Sequence, residues 1–428
     1  MSRGLPIIDD GQRLDAEALT KRLELLRRST HGAEGLSVEL YHRAALTRRV
    51  GTGRDGKSMT NRRGEDEGLA MRATTREGNE LAFAASTGSE LPSFRWVLER
   101  GRSSESSVLR QPPWPTDRTE PLLDHEGEGG LPPVEELSGW LSHAREVLET
   151  GPARPQHLES WVEVAHTVET WVVDGGLRAS RTRTRGWALY RTREPWAGDR
   201  ASKRVLVAHR RWPELSTDAW RSVLEDRRLP EHDAEAPPTR KMPVLFNPEC
   251  SALLVQALVR CLHSDDRGRG AEVGAAWRVT DDPTGGEALF GGTFDDAGFP
   301  TRRTLLSDGQ RCRGAIEGRG NYRRPSFRDR PVALPAQLVV PSGDSRPPDS
   351  CVLATALGLH VTEPDRWVLR IDGALLSDGH PGPVLRACFA TVSPVDLVRR
   401  CVAAVGPARP SHLGIETPGL VFDNLSLQ

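Results

Sequence analysis

Met242-Pro243-Val244-Leu245-Phe246-Asn247-Pro248-Glu249 runs from a short apolar strand directly into a helix, and this junction sets the reading of the chain around it. Asn247 suits the N-cap, because its side-chain oxygen can accept an orphan backbone N–H of the first helical turn. Pro248 fits the first helical position, where a missing N–H removes no bond, and Glu249 sits at the positive end of the helix dipole. Leu254, Ala257, Leu258, Cys261 and Leu262 then recur as one apolar stripe, so a helix over 247–263 is expected to bury one face.

Working outward from this helix, the upstream half alternates helix and strand patterns. Leu19, Leu23 and Leu26 mark a helix over 14–28; strand patterns follow over 36–48, 68–74 and 81–86, with 51–64 as a polar connection. A helix is expected over 91–99, and the Pro-, Gly- and Ser-rich stretch 103–133 reads as a long loop. A second helix spans 134–149. Two long strands, 160–173 and 177–190, meet at Asp174-Gly175-Gly176, whose glycines supply the positive φ of a tight hairpin. Arg181, Arg183 and Arg185 fall on one face of the second of these strands. A solvated face is the ordinary reading of such a stripe; a cationic strip for a partner or an acidic peptide is the alternative. A strand over 204–209, a helix over 217–225 and a proline-rich linker over 229–239 complete this half. The fold class is therefore α+β. An N-terminal α/β domain over 1–236 precedes a strand-rich C-terminal domain over 237–428, expected as a twisted antiparallel or barrel-like sheet.

Composition narrows the function classes. The 428 residues carry a net charge of −1, and lysine occurs only at positions 21, 57, 203 and 241, so nearly every cation is arginine. Acids balance the arginines along most of the chain, which disfavours nucleic-acid binding. Apolar runs are too short for a membrane span, and the first residues lack the apolar core of a secretory signal, so a cytoplasmic protein is expected. The six cysteines all lie beyond residue 249 with no Cys-x-x-Cys pair, and reduced, mostly core thiols are expected. No Gly-x-Ser-x-Gly elbow supports serine chemistry. His360, His380 and His412 have no evident role, and no close His or Cys pair has metal-ligand spacing on one face.

The helix at 247–263 resembles the zinc helix of the TldD/PmbA family, the modulators of DNA gyrase. Downstream, Asp281-Asp282-Pro283 and then Gly291-Gly292-Thr293-Phe294-Asp295-Asp296-Ala297-Gly298-Phe299-Pro300-Thr301 resemble the family's Phe-Asp-Asp-x-Gly-x-Pro-Thr run. Gly320-Asn321-Tyr322-Arg323-Arg324-Pro325 is similar to the next family segment, and stretches at 67–72 and 83–87 resemble its N-terminal domain. In that family a catalytic TldD-type subunit pairs with a TldE-type subunit that lacks the metal motif.

The resemblance implies a His-Glu-x-x-x-His pattern on this helix, with a cysteine near the C-terminus as a further zinc ligand. This chain carries Val255, Gln256 and Arg260 at those positions, and its tail reads Pro410-Ser411-His412-Leu413-Gly414. Valine has no donor atom, glutamine is no base at neutral pH, and arginine repels a divalent cation. No catalytic residue and no metal are therefore expected in this chain, and zinc belongs in a partner subunit. The resemblance implies a non-catalytic, TldE-like subunit that pairs with a TldD-like catalytic subunit and helps hold an extended peptide. A free-standing peptide-binding pseudoenzyme in modified-peptide biosynthesis and an active hydrolase with an altered site are the alternatives. Arg260, Asn321, Arg323 and Arg324 are the candidate substrate-binding residues.

Overall fold

The computed structural model describes residues 16–29, 36–52, 59–75, 80–87, 122–125, 130–149, 156–173, 178–193, 202–217, 220–222, 235–236, 238–263, 268–285, 288–313, 322–324, 326, 328 and 332–428. The helix expected over 91–99, the turn at 174–176, most of 103–133, most of the proline-rich linker and Asn321 lie outside them.

Seven strands form the first sheet: β1 (Leu36–Thr52), β2 (Met59–Thr75), β3 (Glu80–Thr87), β4 (Leu122–His125), β5 (Gln156–Val173), β6 (Arg178–Arg193) and β7 (Ser202–His209). Their order is β3-β2-β1-β5-β6-β4, with β7 also on β6, and only β4 runs parallel to its neighbour. Helices α1 (Ala16–Ser29) and α2 (Val134–Glu149) pack against β1 and β5. The β1–β2 hairpin is longer than its composition suggested. Residues 51–52 and 59–64, expected as connection, remain in register from Gly51↔Thr60 to Thr47↔Gly64. Asn61 to Asp66 are all exposed there, so ladder hydrogen bonds rather than burial hold this ribbon.

Period-two alternation gives the sheet two distinct faces. Val162 and Val164 of β5 and Ala188 and Tyr190 of β6 are buried with Leu137, Leu141 and Ala144 of α2. The opposite face carries Tyr41, Trp171 and Ala179, which bury Phe294 from the second half of the chain. Trp171 meets Tyr41 at 5.0 Å and Phe294 edge-on at 5.5 Å between ring centroids.

The second half contains β8 (Lys241–Phe246), α3 (Pro248–His263), β9 (Arg278–Asp281), β10 (Thr304–Asp308), β11 (Tyr322–Arg323), β12 (Val332–Ala333), β13 (Leu338–Val339), β14 (Gly343–Asp344), β15 (Ser350–Glu363), β16 (Arg366–Ser377), β17 (His380–Val392), α4 (Pro394–Arg399), β18 (Cys401–Pro410) and β19 (Ile415–Ser426). Ten of these strands make one sheet, running β10-β9-β13-β19-β8-β15-β16-β17, with β18 on β19 and β14 on β18. The strand-rich expectation holds, but the sheet is neither purely antiparallel nor a closed barrel. β8 lies parallel to β15 and β13 parallel to β19. The long crossover from β8 through α3 to β15 permits the parallel pairing that a tight hairpin cannot make.

Helix α3 begins as its sequence predicts. Asn247 Oδ1 accepts the Cys250 N–H at 2.9 Å. Ser251 Oγ donates to the Phe246 carbonyl at 3.0 Å and accepts the Leu420 N–H at 3.1 Å, tying the first turn to β8 and β19. Leu254, Val255, Leu258, Val259 and Leu262 are fully or almost fully buried in the core between helix and sheet. All six cysteines are free, five of them buried. Among the described residues no helix is long and apolar enough to cross a membrane.

Asn247→Ala is expected to cost about 1–2 kcal/mol, because the cap is buried and its loss orphans the Cys250 N–H. Urea unfolding of the variant against the parent chain measures this, and an unchanged midpoint would show that the cap contributes nothing.

Candidate functional site

A cavity of about 350 Å³ lies between the second face of the first sheet and the mouth of α3. Its construction begins with the β5–β6 register. Glu169 stands opposite Arg181, and Arg43 of β1 stands opposite Glu169, so the three share one face. Arg183 and Arg185 follow Arg181 at period two and line the same space. The stripe of arginines is therefore not a solvated face: Arg181 and Arg183 are 1% and 3% exposed. The second half of the chain covers this face, which a period-two pattern alone does not reveal.

The covering segment is the loop 290–301. It is shaped internally by Asp295, whose Oδ1 accepts the N–H groups of Ala297 and Phe299 at 2.9 Å each and whose Oδ2 accepts that of Tyr322 at 3.0 Å. Gly298 takes φ 82°, which closes the turn. Asp296 then faces the first sheet and forms an ion pair with Arg181, which also donates from Nε to Glu169 Oε2 at 2.7 Å. Tyr41 donates to the other Glu169 oxygen at 2.7 Å, and Trp171 Nε1 donates to the Asp296 carbonyl at 3.2 Å. Asp296 Oδ2 accepts the Arg324 N–H at 2.7 Å. The Arg324 side chain pairs with Glu39 at 2.8 Å and lies 4.1 Å from the Tyr41 ring centroid. Arg183 pairs with Asp124 at 3.3 Å and also donates to the Gly291 carbonyl.

Electrostatics follow from this packing. Burial opposes ionisation of Asp296, yet Arg181 and Arg323 beside it hold its carboxyl well below the usual carboxylate range. Glu169 behaves alike: burial works against its charge, but Arg181 overcomes it and the pKa is lowered. Burial and the Glu169 charge raise Tyr41 well above its ordinary value, so its hydroxyl remains a donor. Burial and neighbouring Arg181 pull Arg183 down to about 9. Burial, with Arg183 and Arg181, also lowers Arg185 far below its ordinary value.

Arg185 has no hydrogen-bond or ion-pair partner among the described residues; its guanidinium stacks 5.1 Å from the Phe290 ring centroid. Arg323 reaches Asp296 only at 4.0 Å, and its buried Nε has no hydrogen-bond partner. Gln256 and Arg260, one turn apart on α3, line the cavity from the other side, with Arg260 exposed at the mouth. Leu413 and Gly414 complete the wall next to His412. Gly414 has φ 69° and sits where a Cβ would meet Phe290 at 2.6 Å.

Three of the four substrate-binding candidates, Arg260, Arg323 and Arg324, thus come together around one space, and the fourth, Asn321, lies outside the described residues. Val255 does not join them: it is fully buried in the apolar core of α3. Sequence reasoning left His412 unassigned and missed Arg43, Glu169 and Asp124. Glu169 had a usable signal, since counting outward from Asp174-Gly175-Gly176 sets it opposite Arg181.

The zinc ion implied by the resemblance would need imidazole, thiolate or carboxylate donors converging here. Gln256 offers an amide, Arg260 a permanent cation, and Arg185 and Arg323 add positive charge to the same space. Among the described residues no three His, Cys, Asp or Glu side chains come together to hold an ion. The residues present do not fit the metal.

Fold and site together define a two-sheet α+β protein with a guanidinium-lined cavity at the mouth of α3. Among solved structures it is similar to a candidate modulator of a DNA gyrase from Thermotoga maritima, at TM-score 0.73 and 15% identity, covering 96% of this chain and 100% of that one. TldE from Thermococcus kodakarensis matches at TM-score 0.72 and 13% identity over 96% of this chain and 99% of its own. A further candidate modulator of DNA gyrase, from Bacteroides thetaiotaomicron, matches at 0.70 and 14% over 97% and 100%. At these identities the likeness is one of fold. No protein-family profile and no curated protein matches the sequence.

Arg181→Met would leave Glu169 and Asp296 buried without their shared cation. Such a broken pair costs about 3–5 kcal/mol. Because both carboxyl pKa values are lowered by folding, their stabilisation is present above about pH 4–5, their ordinary range, and is lost as pH falls through the folded values. Acid titration followed by circular dichroism should therefore show destabilisation starting below about pH 5. In Arg181→Met this acid-dependent loss should shrink; an unchanged acid profile would contradict the assignment.

Proposed function

We propose that this chain is a TldE-type, non-hydrolytic member of the TldD/PmbA family that holds a peptide, within a cytoplasmic assembly with a TldD-type catalytic subunit. One observation carries the reading. The helix face where the resemblance puts a base and a zinc ligand bears Gln256 and Arg260, and the space they face is bounded by Arg185 and Arg323. The scaffold of such a chamber is complete while its hydrolytic groups are replaced. Zinc and the general base belong, in this reading, to the partner. An extended peptide satisfies its backbone groups along a strand edge, and its side chains enter pockets beside that edge. A sheet-rich protein with a cavity at the sheet interface suits that task, and the likeness to a structure named TldE supports it.

The test is metal content and peptide cleavage by the purified chain, alone and mixed with an intact His-Glu-x-x-x-His homologue. Little zinc and no cleavage alone, with complex formation on mixing, is the expected result. Stoichiometric zinc with cleavage by the chain alone would overturn the reading. The triple variant Val255→His, Gln256→Glu, Arg260→His should also remain inactive. Its new imidazole at 255 enters the apolar core rather than the cavity, so the variant should unfold at lower denaturant than the parent. Peptidase activity above a metal-free control would contradict this.

A further inference from the structure

The cavity holds more positive charge than its own acids balance. Arg181 is countered by Glu169 and Asp296, Arg183 by Asp124, and Arg324 by Glu39, which Arg72 shares; Arg43 draws on the same Glu169 and Asp296 and on Asp66. That leaves Arg185 with no ion-pair partner among the described residues, Glu169 acting on it only at longer range, and Arg323 with a share of Asp296 at 4.0 Å and the more distant Asp281 and Asp295. The two guanidiniums are close enough to repel, and that repulsion, added to burial and the nearer Arg183 and Arg181, disfavours the Arg185 charge. At neutral pH a guanidinium keeps its proton, so deprotonation is not the relief. A bound anion is.

The form of the space selects among anions. The planar fork of an arginine matches a carboxylate or a phosphate equally. However, the space is not polar on every side. One wall is apolar, formed by Phe290, Leu334, Pro335, Leu338 and Leu413. A bare phosphate ion gains nothing from that wall, whereas a carboxylate on an aliphatic stem uses wall and guanidiniums together. A volume of about 350 Å³ suits a small ligand group. We infer that the cavity recognises an acidic peptide side chain, its carboxylate held by Arg185 and Arg323 and drawn in by Arg260 at the mouth. This inference rests on the peptide-binding reading above.

Calorimetric titration of the full chain with two short, end-blocked peptides, alike except that one carries glutamate where the other carries glutamine, tests it directly. Inorganic phosphate is the third titrant. The glutamate peptide should bind at least about ten-fold more tightly, a difference of about 1.4 kcal/mol. Arg185→Gln and Arg323→Gln should each abolish the preference, while Arg370→Gln, an exposed site on β16, should retain it. Ligand-free Arg185→Gln should melt at or above the parent temperature, because an uncompensated cation is removed. A large fall in melting temperature, like that expected of Arg181→Met, would make Arg185 a structural cation and overturn the inference. Equal binding of both peptides overturns it while leaving the peptide reading intact. Binding of phosphate with neither peptide bound overturns both.

Discussion

Arg181 is the most heavily paired of the guanidiniums that join the two halves of this molecule, beside Arg183 on the Gly291 carbonyl and Arg324 on Glu39. Arg181 sits on β6 of the first sheet, pairs along its own face with Glu169, and pairs across the gap with Asp296 of the covering loop. Each ion alone would face several kcal/mol of desolvation, so none of the three can be buried without the other two. Asp296 is delivered by a turn that Asp295 and Gly298 shape, and Glu169 by the hairpin register of β5 and β6. Trp171, Tyr41 and Phe294 exclude water around the contact. The relative position of the sheets, and with it the cavity between them, depends on this bridge.

Much of the architecture could be read from local chemistry. The cap at Asn247, the apolar stripe of α3 and the antiparallel pairing of β5 with β6 each followed from a pattern visible in the local sequence. Other features depended on contacts distant in the chain. The exposed ribbon at 60–66 buries no apolar side chain, and pairing with β1 makes it strand. The parallel β8–β15 and β13–β19 contacts arise from crossovers that no local signal encodes. The site was legible in part. Arg323, Arg324 and Arg260 were picked out and do surround one space, and the period-two arginines were visible as a stripe. Their burial was not, because whether a stripe faces water or another layer is decided by the loop that covers it. Val255 was read as a motif position, yet its direction on α3 takes it into the core.

The site and the fold point the same way. Helix α3 has its cap and its packing face, while the side chains at its cavity end are an amide and a guanidinium. A metal site requires converging lone pairs; this cavity presents converging N–H donors and fixed positive charge. Such a lining underlies the proposal that the cavity takes an anionic group. The likeness to TldE and to candidate gyrase modulators is one of fold.

Anomalous diffraction from crystals soaked separately in bromide and in zinc tests this account most directly. It predicts a bromide peak beside Arg185 and Arg323 and no zinc peak between residues 256, 260 and 412. A zinc ion at that place, with no bromide in the cavity, would contradict it.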